Sequence, residues 1–431
     1  MANNSNNKKK SSSSKYQKKA VKTAKKMARK NPKAFLILVL VLIILVGAGL
    51  AVYFFFLKDK FGGNNGTENT SSEVVHNDHE HYNPKLETPE GISINFLEFG
   101  NYNTGDCTFI KAGDVDILID AGSKNTNVDH LKEFIDEYCK DGKLEYVIAT
   151  HNHEDHISGF YNESGRTGIF YTYQIGTLID FALTGKTNTA TTTQYGKYLR
   201  DRDARLASGD IERHYTAAQC VDKTDPAPKE FVITDSVKME ILDQKFYHPV
   251  SDKKYFPDVK EEDEAKKQKN VDENDYSVCV LFTHNNQNHY LFTGDLEKEG
   301  EASLVELNDL PHVQLFKGGH HGSKTSNTDT LLSVITPENV CICCCAGNDE
   351  YTDNVDNQFP TQTAISNIAK YTSNIYVTTV TTDGHTGFTS MNGNICFKCE
   401  NGKDYTIAGS NNSIILKDTD WFKSNRTWPS A

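Results

Sequence analysis

The sequence predicts a layered α/β domain preceded by one apolar membrane-crossing helix. Three observations carry that prediction. Short apolar or alternating runs of strand length recur from Ile92 to Cys399. Helical spacings fall between several of them, as at Asn127–Lys140 and Glu297–Leu307. Histidines and aspartates gather where strands end, above all in Thr150–His156 (THNHEDH), which holds three of the 15 histidines.

Residues 1–33 carry twelve Lys or Arg and no acid, and Ala34–Leu57 carries no charge. As a helix those 24 residues reach about 36 Å, enough for a hydrocarbon core. A cleaved signal would be shorter and end in small residues. This run ends in Tyr53–Phe54–Phe55–Phe56–Leu57, aromatics suited to a membrane interface. The expectation is a single-pass cell-membrane protein, its basic N-terminus in the cytoplasm and everything after Leu57 outside. Taking the twelve cations off the formal charge of −12 leaves −24 on the remainder. Nucleic-acid binding draws on phosphate neutralisation by a basic face, so this balance counts against it.

Residues 58–90 are rich in Gly, Asn, Ser, Thr and acids, a flexible linker. His76, His79 and His81 lie in it, but a linker of this kind preorganises no site. The folded domain is expected over 91–400, with 401–431 as a C-terminal extension. Ile92–Gly100 alternates like a strand. CTFIKAG and DVDILIDAG make two more around a Gly113–Asp114 turn. Asn127–Lys140 has helical spacing, and Leu144–Ala149 is the strand that delivers the histidine loop. Ile175–Ala182 reads as a strand, Thr193–Leu206 as an amphipathic helix with a basic exposed face, and Val237–Leu242 as a strand. Asp252–Asp275 is so charged that it reads as a surface insertion or a partly disordered loop. Strands Tyr276–Thr283 and His289–Thr293 follow, then helix Glu297–Leu307 and strand His312–Phe316. Beyond them come strands Leu331–Ile335 and Val340–Cys345, helix Thr361–Tyr371, and strands Ile375–Thr379, Gly387–Ser390 and Asn394–Cys399.

Four of the ten cysteines crowd VCICCCAG, a core strand filled with small apolar side chains. Cys396 and Cys399 form a CxxC with no second CxxC to match it. Thiols of the core or surface are expected, not a disulfide framework. So many thiols outside a cell suggest a reducing setting.

His151 and His153 are two apart, so an extended loop points them the same way. Asp155 and His156 can turn toward a second point nearby. Imidazoles and a carboxylate at this density suit zinc, or manganese or iron with more oxygen ligands. Gly294–Asp295 ends another strand, and Lys317–Gly318–Gly319–His320–His321–Gly322–Ser323 ends a third.

Together these motifs resemble the metallo-β-lactamase superfamily. His151–Asn152–His153–Glu154–Asp155–His156 matches its HxHxDH signature, and LIDAG (Leu118–Gly122) is similar to its first motif. TGDC, ILIDAG, FTGDLE and FKGGHHGSKTS resemble one branch, that of the ComEC-type hydrolase domains and the phosphorylcholine esterases. The resemblance spans roughly Gly91–Glu400. It implies an αββα sandwich with two divalent metals, zinc first and manganese as the alternative. His151 and His153 would hold one metal, Asp155 and His156 the other, with Asp295 bridging. His321 would complete the second site, and His320 would contact substrate or the developing anion. Asp106 and Asp120 would orient ligands. The third histidine usual for the first metal has no obvious counterpart; His214 and His248 are candidates.

The implied activity is hydrolysis by a metal-activated water, steered by Asp155, at phosphorus or a carbonyl carbon. A phosphoester of cell wall, lipid or nucleic acid is the expected substrate. A β-lactam or lactone hydrolase on the same cage, and a non-catalytic surface binding module, are the alternatives. No protein partner is inferable, and the channel helices of the uptake proteins have no counterpart.

Overall fold

The computed structural model describes residues 81–99, 104–122, 124–381, 388–390 and 393–429. All belong to a unit running from Val75 to Ala431; the other unit, Met1–Val74, lies outside them. The segment 34–57 therefore also lies outside the described residues. Among the described residues no helix is long and apolar enough to cross a membrane. The longest, Gln194–Ser208, has 15 residues and is polar, reaching about 22 Å against a hydrocarbon core of about 30 Å. On that finding the expectation of a single-pass membrane localisation is corrected.

Sixteen strands are described. The first eight are β1 (Ile92–Phe96), β2 (Thr108–Ala112), β3 (Val115–Ile119), β4 (Lys143–Ala149), β5 (Gln174–Asp180), β6 (Ile211–Thr216), β7 (Glu230–Val232) and β8 (Val237–Ile241). The rest are β9 (Val280–His284), β10 (Asn288–Phe292), β11 (Leu315–Lys317), β12 (Asn339–Ala346), β13 (Ile375–Thr381), β14 (Phe388–Ser390), β15 (Ile395–Cys399) and β16 (Thr406–Gly409). They form two sheets, ordered β16-β15-β1-β2-β3-β4-β5-β6 and β14-β13-β12-β11-β10-β9-β8-β7. In each sheet a run of antiparallel neighbours gives way to parallel ones, at β3–β4 in the first and β10–β11 in the second. Parallel neighbours need crossovers, and helices such as Val128–Tyr138 and Lys298–Leu307 occur in them.

The sheets pack face to face. Phe96 of β1 stacks on Phe292 of β10 with ring centroids 6.1 Å apart, and Tyr290 of β10 meets Phe397 of β15 at 5.1 Å. The β12 cysteines are explained by the alternation of a strand buried on both faces. Cys341 and Cys343 face the inter-sheet core, while Val340, Ile342 and Cys344 face the helices. All ten cysteines are free and buried.

The elements differ from expectation in four places. Leu331–Ile335 lies in a helix, Asp329–Ile335, that buries Leu331, Leu332 and Ile335; a five-residue apolar run does not distinguish strand from helix by itself. The charged insertion holds a helix, Glu261–Lys269, with no buried residue. Its acids stand in the first turn and its lysines in the last, the arrangement a helix dipole favours, so it has no apolar stripe to reveal it. Strands β6 and β7 were not anticipated. Residues after Glu400, expected as an extension, supply β16, which pairs with β15, and Leu416 and Phe422 of the outer core.

Candidate metal centre

Three chain reversals, together with the Gly294–Asp295 turn after β10, build the site. The first follows β3, where Asp120 takes a left-handed conformation (φ 59°). The next residue but one, Gly122, lies so close to the histidine loop that a Cβ there would stand 2.0 Å from the backbone of Asp155. Backbone bonds stitch the two turns: Ala121 N donates to His156 O and Asp106 N to Asp155 O. The second reversal follows β4 and carries His151 to His156, the last lying in the short helix Glu154–Ile157. The third follows β11, where His320 and His321 both have positive φ, 46° and 50°. Asn327 holds that turn from below, accepting from Gly319 N and donating to Gly319 O, each at 2.9 Å.

Four donors converge. His156 Nε2 lies 3.1 Å from Asp295 Oδ2, His321 Nε2 3.3 Å from the same oxygen, and His321 Nε2 3.3 Å from Asp155 Oδ2. Donor atoms of these four residues all lie within 4.8 Å of one another. A tetrahedral ion with bonds of about 2.0–2.2 Å has donor–donor edges of about 3.3–3.6 Å, so the set is close to the size such an ion requires. The Nε2 atoms of His156 and His321 are buried with no hydrogen-bond partner. Buried polar atoms are normally satisfied, and two unpaired ring nitrogens aimed at carboxylate oxygens fit a divalent cation.

The opposite ring nitrogens are fixed. Asp120 Oδ1 accepts from Thr150 N and its Oδ2 from Thr150 Oγ1, both at 2.7 Å, while His156 Nδ1 lies 2.7 Å from that second oxygen. His321 Nδ1 lies 2.9 Å from Cys343 O and 3.5 Å from Asp106 Oδ1. Asp106 and Asp120 thus touch the back of the rings whose front nitrogens converge.

Burial opposes charge on His156, but Asp295 and Asp120 outweigh it and hold that imidazole well above its ordinary pKa. His321 is raised in the same way by Asp295 and Asp106. Burial pushes Asp295 up, yet His156, His321, His320 and Lys317 keep it well below the usual carboxylate range. The set therefore attracts positive charge. His151 differs: burial, with His156 and His153 beside it, holds it well below its ordinary value. That leaves the neutral imidazole a metal ligand needs.

His151 Nε2 and His153 Nδ1 lie 3.0 Å apart and form a second point of convergence. Among the described residues no third His, Cys, Asp or Glu joins that pair in a set within 4.8 Å. His248 stacks on Tyr255 at 3.7 Å and lies 3.7 Å from Asp222. His214 Nε2 lies 2.8 Å from Asp180. Neither is brought into the cluster. His320 stands one step out, its Nε2 3.9 Å from Asp295 Oδ2 and its Nδ1 3.4 Å from Glu297.

Residues that sequence reasoning missed complete the surroundings. Lys317 is buried and ion-paired with Asp106; its ammonium also donates to Gly294 O at 2.9 Å and lies 3.5 Å from Asp295 Oδ1. A lysine closing an apolar strand, just before the glycines and histidines, was the available signal. Tyr351 donates to Asp155 Oδ2 at 2.7 Å, and no local pattern announced it. The centre opens into a cleft of about 510 Å³ whose walls include His153, His320, Glu350, Tyr351 and Phe359.

The metallo-beta-lactamase superfamily model matches residues 101–169, the segment that carries Asp106, Asp120 and the histidine loop. Recombination protein 2 of Haemophilus influenzae is 37% identical over 60 residues, 14% of this chain and 7% of that protein. ComE operon protein 3 of Bacillus subtilis is 33% identical over 66 residues, 15% and 8% of the two chains. The matched segment is thus under a tenth of either relative's length. The metallo-beta-lactamase fold protein YhfI from Bacillus subtilis aligns over 71% of this chain and 100% of its own, at 9% identity and a TM-score of 0.36. The family match thus falls on the segment that carries Asp155 and His156 of the gathered set, with Asp106 and Asp120 behind the rings, and in that segment the chain is similar to the metallo-beta-lactamase superfamily.

Proposed function

We propose that the chain hydrolyses phosphoesters, with Asp155, His156, Asp295 and His321 holding a divalent ion and His151 and His153 offering a second, two-nitrogen position. Zinc suits a four-coordinate set of imidazoles and carboxylates, and manganese is the alternative. A metal held there supplies Lewis acidity and lowers the pKa of water toward neutrality. The protein's own contribution is orientation. Asp120 and Asp106 set the rings of His156 and His321, and Lys317 turns Asp295 Oδ1 aside so that Oδ2 faces the two imidazoles.

His320 supports the phosphoester reading most directly. Its Nδ1 has Glu297 at 3.4 Å and Thr325 Oγ1 at 3.3 Å, its Nε2 lies 3.9 Å from Asp295 Oδ2, and both residues line the cleft. A histidine oriented through one nitrogen can present the other to a leaving oxygen or to developing negative charge. The strongly acidic composition favours small or wall-bound esters over polyanions.

The test is metal content and turnover of bis(p-nitrophenyl) phosphate by the full chain, beside a chromogenic β-lactam. Bound zinc or manganese and phosphodiester turnover that is lost in Asp295→Ala and His151→Ala are expected. Absence of metal after reconstitution, or turnover untouched by both substitutions, sinks the reading. Turnover of the β-lactam alone would replace the substrate class.

A further inference from the structure

The loop after β12 crosses the mouth of the cleft. Glu350 ties it to the first half of the chain: its Oε1 meets Lys124 Nζ at 2.5 Å and its Oε2 accepts from Thr104 N at 2.9 Å. The adjacent Tyr351 is thereby set over the centre. Its hydroxyl points inward to Asp155 Oδ2, while 55% of the residue stays exposed. Its ring centroid lies 5.9 Å from that of Phe359, which in turn lies 5.7 Å from His320 and 5.8 Å from His321. The three rings of Tyr351, Phe359 and His320 make one wall of the cleft. Among the described residues that line the cleft, Tyr351 carries the one hydroxyl.

Asp155 Oδ2 is also the oxygen that faces His321 Nε2, so Tyr351 holds a hydrogen bond at the point where the donors converge. A tyrosine so placed is wet on one side and anchored on the other, the amphipathic arrangement that suits this residue to recognition. A phosphoryl group brought into the cleft presents anionic oxygens within the same short range. A phosphoryl oxygen, like the carboxylate, is a charged acceptor that makes a strong hydrogen bond, and the hydroxyl can turn to it from a carboxylate oxygen already shared with His321.

We propose that Tyr351 is a substrate-binding residue: its hydroxyl donates to a phosphoryl oxygen, and its ring, with Phe359, packs against a flat ring-bearing remainder of the ester. This rests on the phosphoester reading above. It extends that reading to a substrate class, esters that carry a ring beside the phosphorus.

Binding of phenylphosphonate and of methylphosphonate to the zinc-loaded full chain, by calorimetry, tests it. Tyr351→Phe should weaken both about 10- to 100-fold with zinc content unchanged. Tyr351→Ala should weaken phenylphosphonate further and methylphosphonate no further. Equal binding by wild type and Y351F, no binding by wild type, or loss of zinc in Y351F overturns the proposal, the last because it would make the tyrosine a support of the metal set. Turnover of bis(p-nitrophenyl) phosphate in the same wild-type sample judges the hydrolase reading separately. Tyr351-dependent binding without turnover sinks that reading and keeps the tyrosine; turnover with unchanged Y351F binding does the reverse.

Discussion

Asp120 concentrates the chemistry of this site in one side chain. It sits in the left-handed region and takes Thr150 N, Thr150 Oγ1 and His156 Nδ1 on its two oxygens. Asparagine tolerates that backbone but turns an amide NH2 toward donors. Asp120→Asn should therefore weaken zinc binding about 10- to 100-fold, read by competition with a chelator. In chelator it should also lose about 1–3 kcal/mol of folding stability for the donors left unpaired. Unchanged zinc affinity would show that His156 needs no such orientation. Lys317 gives a second residue-scale expectation. Removing one member of a buried ion cluster costs about 3–5 kcal/mol, so Lys317→Met should lower the denaturant midpoint steeply, with Asp106 and Asp295 left facing each other's charge. At this scale the legible residues were those that share a short segment, such as His151, His153, Asp155 and His156. Tyr351 lies 196 residues from the Asp155 it touches, and no local window joins them.

At the scale of elements, the helix Lys298–Leu307 and the histidine turn after β11 are held together by one buried carboxylate. Glu301 Oε1 accepts from Asn327 N at 2.6 Å, and its Oε2 accepts from Thr328 N at 2.8 Å and Thr328 Oγ1 at 2.5 Å. Asn327 in turn clasps Gly319. Burial pushes Glu301 up from 4.5 to about 7 in spite of those donors. The folded chain therefore holds a proton there over a range in which the unfolded chain has lost it. That contribution is full below about pH 4.5 and is lost as pH rises to about 7, by roughly 3 kcal/mol. Glu301→Gln does not titrate, so the stability of wild type relative to the variant should fall across this window and level off above it. Parallel curves in urea would show that Glu301 is not raised. Asn327 has φ 59°, so Asn327→Gly keeps the backbone and removes only the clasp. Zinc binding at His321 should weaken while the helix signal stays. Strands and helices with one buried face were readable by period, and the strand ends located the ligands. The helix Glu261–Lys269 has no buried face, so no apolar period marks it; β6 (IERHYT) exposes its second and third residues and took its form from tertiary context that propensity does not carry.

At the scale of the whole molecule, the four gathered donors come from both sheets. Asp155 and His156 follow β4 of one, while Asp295 follows β10 and His321 follows β11 of the other. An ion held among them bridges the sheets at the edge where the parallel strands end. Binding to the folded state alone must then stabilise the whole fold, by about 2.7 kcal/mol when free metal is 100 times its dissociation constant. Zinc should raise the midpoint of thermal unfolding in wild type and equally in His248→Ala, whose ring lies in another cluster. It should do little in Asp295→Ala or His321→Ala, each of which takes a donor from the set. The sign with pH follows from the charge already drawn to the site. His156 and His321 are held well above their ordinary pKa by the carboxylates around them, so a metal must displace protons from both. The zinc-dependent rise should shrink as pH falls and grow as it rises, opposite in sign to the Glu301 effect. A rise that survives in both ligand variants, or that grows on acidification, would move the metal away from this set.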